Sequence, residues 1–338
     1  FNEGNKVYVE NIFVSGNEKT RENVIRRELK LYPGDVFSRS KLMRSQRDIW
    51  ILNYFDNVIP DVTPISDDKV NLDFVVEEKK STQRINANLG FTGEYGITGG
   101  AGVEFDNFRG KGQKLNIGAS TGTNFSIYTT QEPSKYRSLN VSFQDPMIND
   151  SPYLVGASIF YSFRGSSTNY YFPLDFTVGG AVASFGRRLE WPDDFFRVMW
   201  SAKYMQKEYE GSQDDIDNYI GGLQKTRGIS FAQVLSRDSR NRAEFPTNGS
   251  TFILENTYSG GFLGGNENFQ KHMLTLDWFT PTFSKFILYN SVKLGVIKTI
   301  DVGDDVQSFV PFDERFIMGG NGIPCLLYTS PSPRDLSE

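Results

Sequence analysis

The feature that most constrains this chain is an alternation of apolar and polar side chains that recurs from about Ser81 to Ile300. In Ser138–Gln144, for example, Leu139, Val141 and Phe143 are separated by polar residues. Successive side chains of a β-strand point to opposite faces of a sheet, so this period of two indicates strands with one apolar face. We count about eleven such segments, which predicts a mainly β chain.

The length of the segments and of their connections separates a membrane barrel from a water-soluble sandwich, which would also alternate. The segments match the roughly 9–11 residues of a tilted spanning strand. Tyr, Phe and Trp gather near segment ends, and short connections alternate with long polar ones, as in outer-membrane barrels. We therefore favour an antiparallel transmembrane β-barrel over a sandwich. The short connections are Asp106–Gly112, Asp145–Pro152, Glu190–Asp194 and Thr280–Ser284, and the long ones are Thr123–Lys135, Arg164–Pro173 and Glu210–Lys225.

Composition excludes several classes of protein. No apolar run approaches the ~20 residues that a spanning helix needs. The net charge of -5 argues against a nucleic-acid binder. The single histidine, His272, excludes a histidine-rich metal site and most histidine-based catalysis. We therefore expect no enzymatic activity, no metal and no cofactor.

Residues 6–79 differ from the rest because strand and helix signals alternate in the order β-α-α-β-β. This order predicts one small α+β domain over residues 1–79, preceded by a few residues of a linker or of an earlier domain. Thr20 is a candidate N-cap of the first helix and Ser38 of the second. The expected elements are a strand at Val7–Val14, a helix with Val24, Ile25 and Leu29, a helix with Leu42, Ile49, Trp50 and Leu52, and strands at Asn57–Ile65 and Lys69–Glu77.

Five blocks of this region resemble a POTRA domain, and their spacing fits as well. The motif residues that we assign from the resemblance are Gly16, Asn17, Gly34, Asp35 and Phe55. Such domains hand over unfolded substrate strands or dock partner lipoproteins. An edge near Asn57–Thr63 is a candidate for this role, although Pro60 and Pro64 interrupt a ladder and equally suit an edge blunted against aggregation.

Residues 80–323 resemble the N-terminal part of the barrel of the BamA family, the outer-membrane protein assembly factors among the bacterial surface antigens. Two periplasmic turns carry this likeness. The second resembles a tight turn in which proline pre-sets φ and Asn248-Gly249 tolerates positive φ, so a structural lock is favoured over an ion-pair site. Asn241 stands there where an aspartate is more usual. The turn residues are Asp106, Asn107, Phe108, Gly110 and Gly112 in the first, and Asp238, Arg240, Phe245, Pro246 and Gly249 in the second.

The resemblance implies a 16-stranded barrel, of which about eleven strands are present, and several POTRA domains, of which only the membrane-proximal one is present. It also implies an Arg-Gly-Phe/Tyr motif in a loop that folds back into the lumen. The sequence reaches the approach to that loop at Arg315–Gly322, but the residues that follow, Cys325–Glu338, offer no Arg-Gly pair. Residues 324–338, which include Cys325, are expected to be a foreign tail.

The first barrel strand, about Arg84–Phe91, is the leading candidate for a functional element. The resemblance implies that it pairs weakly with the last strand and opens as a lateral gate, where its backbone templates an incoming strand. The alternative is that Arg84, Asn86 and Asn88 are lumen-facing polar positions. The gate residues are Arg84, Ile85, Asn86, Ala87, Asn88 and Leu89.

The function that the resemblance implies is insertion of β-barrel proteins into the bacterial outer membrane, with the POTRA domain in the periplasm. The implied partners are unfolded outer-membrane proteins, periplasmic lipoproteins and outer-membrane lipid, with no nucleic acid. A two-partner secretion translocator is the close alternative, and a porin, an adhesin or a surface enzyme are more distant ones. Acidic groups at Asp214, Asp215, Asp217 and Asp304-Asp305 suit solvated loops better than a cation site.

Overall fold

The computed structural model describes residues 6–92, 96–123, 135–166, 173–189, 191–193, 195–241, 245–283, 286–301, 310–311 and 314–316. Residues 324–338, Asp304-Asp305 and most of the loop Thr123–Lys135 lie outside the described residues. None of the described helices is long and apolar enough to cross a membrane.

The first elements form the α+β domain with the predicted order. They are β1 (Tyr8–Ser15), α1 (Glu22–Arg26), α2 (Arg39–Ile51), β2 (Phe55–Ser66) and β3 (Lys69–Glu78). The sheet order is β1-β3-β2, with β1 parallel and β2 antiparallel to the central β3. Alternate β3 residues, Val70, Leu72, Phe74 and Val76, are buried with residues of both helices in a single core.

Two details of this domain differ from the prediction. Thr20 is not an N-cap. The N-cap position of α1 is Arg21, which makes no side-chain cap bond. The hydroxyl of Thr20 accepts a hydrogen bond from Asn107 instead. Ser38 does cap α2, accepting from the backbone N–H of Lys41 at 3.4 Å. Trp50 is 60% exposed, because it lies about 100° around the helix from the buried Ile49.

The remaining strands form one eleven-stranded sheet in chain order, which confirms the predicted number. Antiparallel pairing is continuous from β9 through β14. The sheet ends at β4 on one side and at β14 on the other. The strands are β4 (Gln83–Thr92), β5 (Gly96–Phe108), β6 (Gln113–Thr123), β7 (Lys135–Asp145), β8 (Tyr153–Arg164), β9 (Asp175–Arg188), β10 (Phe196–Glu210), β11 (Lys225–Asp238), β12 (Gly249–Ser259), β13 (Phe269–Pro281) and β14 (Ile287–Thr299).

The connection Glu210–Lys225 contains a helix that was not predicted, α3 (Gln213–Ile220). Ser212 caps it by accepting from the N–H of Asp215 at 3.2 Å. The side chain of Asp217 accepts from Gln213 at 2.8 Å. The acidic residues of this loop thus belong to a capped helical turn, as the solvated interpretation expects.

The apolar face of the sheet is exposed. Ile85 is 80% exposed, Leu89 82%, Leu139 49% and Leu294 59%. Such side chains would be packed in a core if the sheet were one layer of a soluble sandwich. Their exposure fits a sheet whose apolar side contacts hydrocarbon.

Candidate functional site

The register between β4 and β5 is fixed by two contacts. The guanidinium of Arg84 lies 3.0 Å from the carboxylate of Glu104 across the strand pair. The carbonyl of Thr82, two residues before Arg84, accepts a hydrogen bond from the backbone N–H of Asp106 at 3.3 Å. Residues 82 and 84 therefore lie opposite 106 and 104.

This register shows which backbone groups of β4 are directed away from β5. In an antiparallel strand, residues whose N–H and C=O groups bond to one neighbour alternate with residues that face the other side. Thr82 faces β5, so Ile85, Ala87 and Leu89 direct their N–H and C=O groups away from β5. No described strand lies on that side of β4. A row of unpaired donors and acceptors is a template for an added strand.

The polar side chains of β4 have a different role. Arg84 also lies 2.8 Å from Asp106, which in turn is 3.8 Å from Lys114 of β6. Asp106 is only 6% exposed. This cluster ties three strands together, so the side chain of Arg84 serves the sheet itself. The predicted gate residues thus divide into odd positions, whose backbone groups face away from β5, and even positions, whose backbone groups face β5.

The first short turn docks onto the POTRA domain, and both belong to one compact unit. The side-chain amide of Asn107 donates to the hydroxyl of Thr20 at 2.8 Å, and its carbonyl accepts from the N–H of Gly112 at 2.7 Å. The carbonyl of Gly110 accepts from the N–H of Arg21 at 2.9 Å. The turn residues predicted from the sequence therefore bind the loop that leads into α1.

Both glycines of this turn are required by space and by backbone conformation. Gly110 has a φ of +68°, and a Cβ there would lie 2.0 Å from the carbonyl oxygen of Lys19. Gly112 has a φ of +71°, and its Cβ would lie 2.4 Å from the guanidinium of Arg27. The hydroxyl of Tyr54 donates to the carbonyl of Gly112 at 3.4 Å. Burial raises the pKa of Tyr54 to about 12, opposed by Arg27.

The second short turn reaches the same helix. Asn23 donates to the carboxylate of Asp150 at 2.8 Å, and Arg27 lies 3.6 Å from it. Asp150 is held with a φ of +58°, an uncommon conformation for a residue with a side chain. The helix α1 therefore contacts two successive barrel turns.

The loop before α1 is clamped by Glu78, the last residue of β3. Its carboxylate accepts from three successive backbone N–H groups, those of Glu18 (3.2 Å), Lys19 (2.8 Å) and Thr20 (2.6 Å). Burial by itself raises the pKa of Glu78, but these bonds and one from the Thr20 side chain outweigh it and lower the pKa below its ordinary value. The clamp fixes the docking loop beside the start of the barrel.

The outer edge of β2 is closed, which favours the blunted-edge interpretation of its prolines. The carbonyl of Val58 accepts from Gln46 of α2 at 2.7 Å, so even-numbered residues face away from β3. The N–H groups of Val58 and Val62 are bonded to the side chains of Asn57 (3.0 Å) and Asp61 (2.9 Å). The two remaining even positions are Pro60 and Pro64, which have no N–H. No free donor is left on this edge from residue 58 to residue 64.

The second turn motif forms a tight turn that contains an ion pair between Asp238 and Arg240. The carboxylate of Asp238 accepts from the side chain of Arg240 at 2.7 Å and from its N–H at 3.1 Å. Gly249 has a φ of +108°, and its Cβ would lie 2.4 Å from the carbonyl of Ser239. Phe245 is 79% exposed and takes no part in the ion pair. Pro246 precedes the bonded segment at Thr247.

Sequence reasoning missed Arg237 in this region. Its guanidinium lies 2.9 Å from Asp193, in the turn before β10, and donates to the hydroxyls of Ser239 (3.1 Å) and Ser250 (3.3 Å). It therefore ties two neighbouring turns together. Tyr54, Arg27, Glu78 and Asp150 were also missed as docking residues.

The POTRA motif residues build the domain and lie outside its docking contacts. Gly16 has a φ of +88°, and a Cβ there would lie 2.0 Å from the carbonyl of Val76. Asn17 donates to the carbonyl of Thr20 at 3.0 Å. Gly34, with a φ of +92°, donates its N–H to Val9, and Asp35 accepts from the N–H of Tyr32 at 3.2 Å. Phe55 is part of the core.

Comparisons with known proteins agree with this architecture. Residues 7–79 match the POTRA family, described as surface antigen variable number repeat. Residues 107–323 match the Omp85 superfamily domain. The outer membrane protein assembly factor BamA of Nitratidesulfovibrio vulgaris is 28% identical over 93% of this chain and 37% of its own length. That of Neisseria meningitidis is 27% identical over 94% of this chain and 39% of its own length.

Solved structures show the same fold. BamA from Haemophilus ducreyi lacking POTRA domains 1–3 superimposes with a TM-score of 0.68 at 19% identity, covering 94% of this chain and 60% of that one. CdiB from Acinetobacter baumannii gives a TM-score of 0.55 at 14% identity, covering 88% and 54%. The chain spans about two fifths of the length of the curated relatives named above.

The sheet is therefore the strand array of a BamA-like outer-membrane barrel, and the POTRA domain lies on its periplasmic side. The matched segments and the fold together place the chain in the Omp85 superfamily.

Proposed function

We propose that this chain is the membrane-proximal part of an assembly factor that inserts β-barrel proteins into the bacterial outer membrane. The observation that carries the proposal is the register of β4, in which Ile85, Ala87 and Leu89 direct their N–H and C=O groups away from β5. An unfolded outer-membrane protein adds its strand to this edge by β-augmentation. The proposed activity needs no catalytic side chain, because the backbone is the template.

The docking of the POTRA domain supports this proposal. Asn107 and Gly110 join the base of β5, the strand next to β4, to the loop before α1. Glu78 holds the same loop and lies only five residues before β4 begins. A substrate delivered through the POTRA domain would thus arrive beside the free strand. With the β2 edge closed, periplasmic lipoproteins and substrates would contact other POTRA surfaces.

Proline substitution tests the free edge directly. In the full-length protein, Ala87→Pro removes one outward N–H and leaves the bonds of β4 to β5 in place, since proline is tolerated at strand edges. Ala87→Val is the matched control, because it changes the same side chain and keeps the donor. Assembly of a model barrel is followed in proteoliposomes that contain the partner lipoproteins. We expect Ala87→Pro to be about fivefold slower, the effect of one lost hydrogen bond.

Equal assembly rates for Ala87→Pro and Ala87→Val would refute the templating role of β4. Asn88→Pro serves as a second comparison, because an even position bonds to β5. It should lower the thermal stability of the barrel, which Ala87→Pro should leave nearly unchanged.

A further inference from the structure

A cationic cavity lies at the base of β4, where the POTRA domain joins the barrel. It has a volume of about 250 Å³, and its lining includes Lys19, Lys79 and Lys80. The backbone of Lys79 is fixed by an N–H bond to the carbonyl of Tyr54 at 2.9 Å. Three lysines thus line one cavity within a single compact unit.

Within the described residues, no carboxylate pairs with the ammonium groups of these lysines. Lys19 donates its ammonium to the carbonyl of Lys80 at 2.9 Å, and the ammonium of Lys79 donates to the side chain of Asn53. None of the ion pairs in the described part of the chain involves these three lysines. Three other POTRA lysines do have carboxylate partners: Lys30 with Asp48, Lys41 with Asp35, and Lys69 with Glu10.

The one acid in the cavity wall is already engaged. Glu78 lines the cavity, but its carboxylate accepts three backbone N–H bonds from the loop before α1. The remaining lining includes Thr82 and Gln83, whose side chains carry a hydroxyl and an amide. The cavity therefore offers positive charge and hydrogen-bond donors, which suit a phosphate ester.

An apolar surface continues from this cavity along β4. Side chains alternate along a strand, so Gln83 lies on the same face as Ile85 and Leu89, which are 80% and 82% exposed. Six residues of strand span roughly 20 Å, or roughly 15 Å along the membrane normal at a tilt of about 40°, which matches the roughly 15 Å of hydrocarbon in one leaflet. A molecule with its anionic head in the cavity could lay an acyl chain along these residues.

We infer that the cavity binds the headgroup of an anionic phospholipid of the periplasmic leaflet, with the phosphodiester between Lys19, Lys79 and Lys80 and an acyl chain against Ile85 and Leu89. The POTRA domain marks this end of the strands as periplasmic, which places the cavity at the level of that leaflet's headgroups. The inference requires that the strands span the outer membrane, and it does not depend on the insertase function.

Native mass spectrometry of the delipidated full-length protein tests this site. Phosphatidylglycerol is titrated against wild type, against the variant K19Q/K79Q/K80Q, and against the control K30Q/K41Q/K69Q, which removes the same charge from paired lysines. We expect retention to weaken about fivefold for each cavity lysine removed and to be unchanged in the control. Single variants at the three cavity lysines give the same information if the triple variant does not fold.

Equal loss in the two triple variants would overturn the site, because it would show attraction to net charge alone. Unchanged retention in the cavity variants would also overturn it. Phosphatidylethanolamine should bind more weakly than phosphatidylglycerol. Inorganic phosphate and glycerophosphoglycerol should not displace the lipid, and displacement by either would show a phosphate site that has no acyl contact.

Discussion

Substitution of Gly110 tests how firmly the first barrel turn holds the POTRA domain. In Gly110→Ala the new Cβ would lie 2.0 Å from the carbonyl of Lys19, while real Cβ contacts are at least 3.0 Å. The turn must therefore retreat by about 1 Å, which breaks the 2.9 Å bond from Arg21 to Gly110. Losing that bond costs about 1 kcal/mol. Alanine at a positive φ costs roughly 1–2 kcal/mol more.

The total of about 2–3 kcal/mol corresponds to a roughly 30- to 150-fold increase in local opening. Hydrogen exchange of the Arg21 amide in the full-length protein measures this opening. Gly34→Ala is the matched control in the same domain, because Gly34 has a φ of +92° and nothing within 4 Å of its Cβ position. If Gly110→Ala exchanges at the Arg21 amide no faster than Gly34→Ala, the docking contact is not what protects the loop.

Three further substitutions have distinct readouts. Glu78→Gln should destabilise the POTRA domain in thermal melts at neutral pH. Because folding lowers the pKa of Glu78, the stability difference between wild type and variant should be complete above the ordinary pKa of 4.5 and should disappear as the pH falls through the lowered pKa. Tyr54→Phe should remove a tyrosine that ionises near pH 12 in a spectrophotometric titration. The stability that neutral Tyr54 gives wild type should be complete below pH 10 and be lost as the pH rises to about 12. Leu139→Arg should reduce the yield of folding into liposomes, since a cation on the lipid face costs about 2–4 kcal/mol. Asn140→Arg, on the opposite face, should fold normally. Equal yields for the two variants would contradict the assignment of the faces.

The sequence predicted the features that depend on local pattern. The number of barrel strands follows from the alternation, since each side chain reports its own face. Ser38 as an N-cap and the tight turn at Gly249 follow from the conformational preferences of single residues. Trp50 was wrongly predicted to lie on the buried face of α2. It is apolar, but it follows the buried Ile49 directly and therefore lies on a different side of the helix.

The docking contacts could not be predicted, because they join residues that are far apart in sequence. Asn107 and Thr20 are separated by 87 positions, and no periodic pattern relates them. Thr20 looked like a helix cap since threonine favours that position, but tertiary structure used its hydroxyl elsewhere. The cavity at Lys79 and Lys80 was missed for the same reason. The sequence shows two neighbouring lysines, but it does not show whether a distant carboxylate pairs with them.

The closed edge of β2 also matters where copies of the protein are crowded. Molecules anchored in one membrane carry their POTRA domains in a common plane and orientation, which favours strand pairing between neighbours. Pro60 and Pro64 offer no N–H, and the side chains of Asn57 and Asp61 occupy the N–H groups of Val58 and Val62. We therefore expect adjacent domains to collide without joining their sheets through the β2 edge.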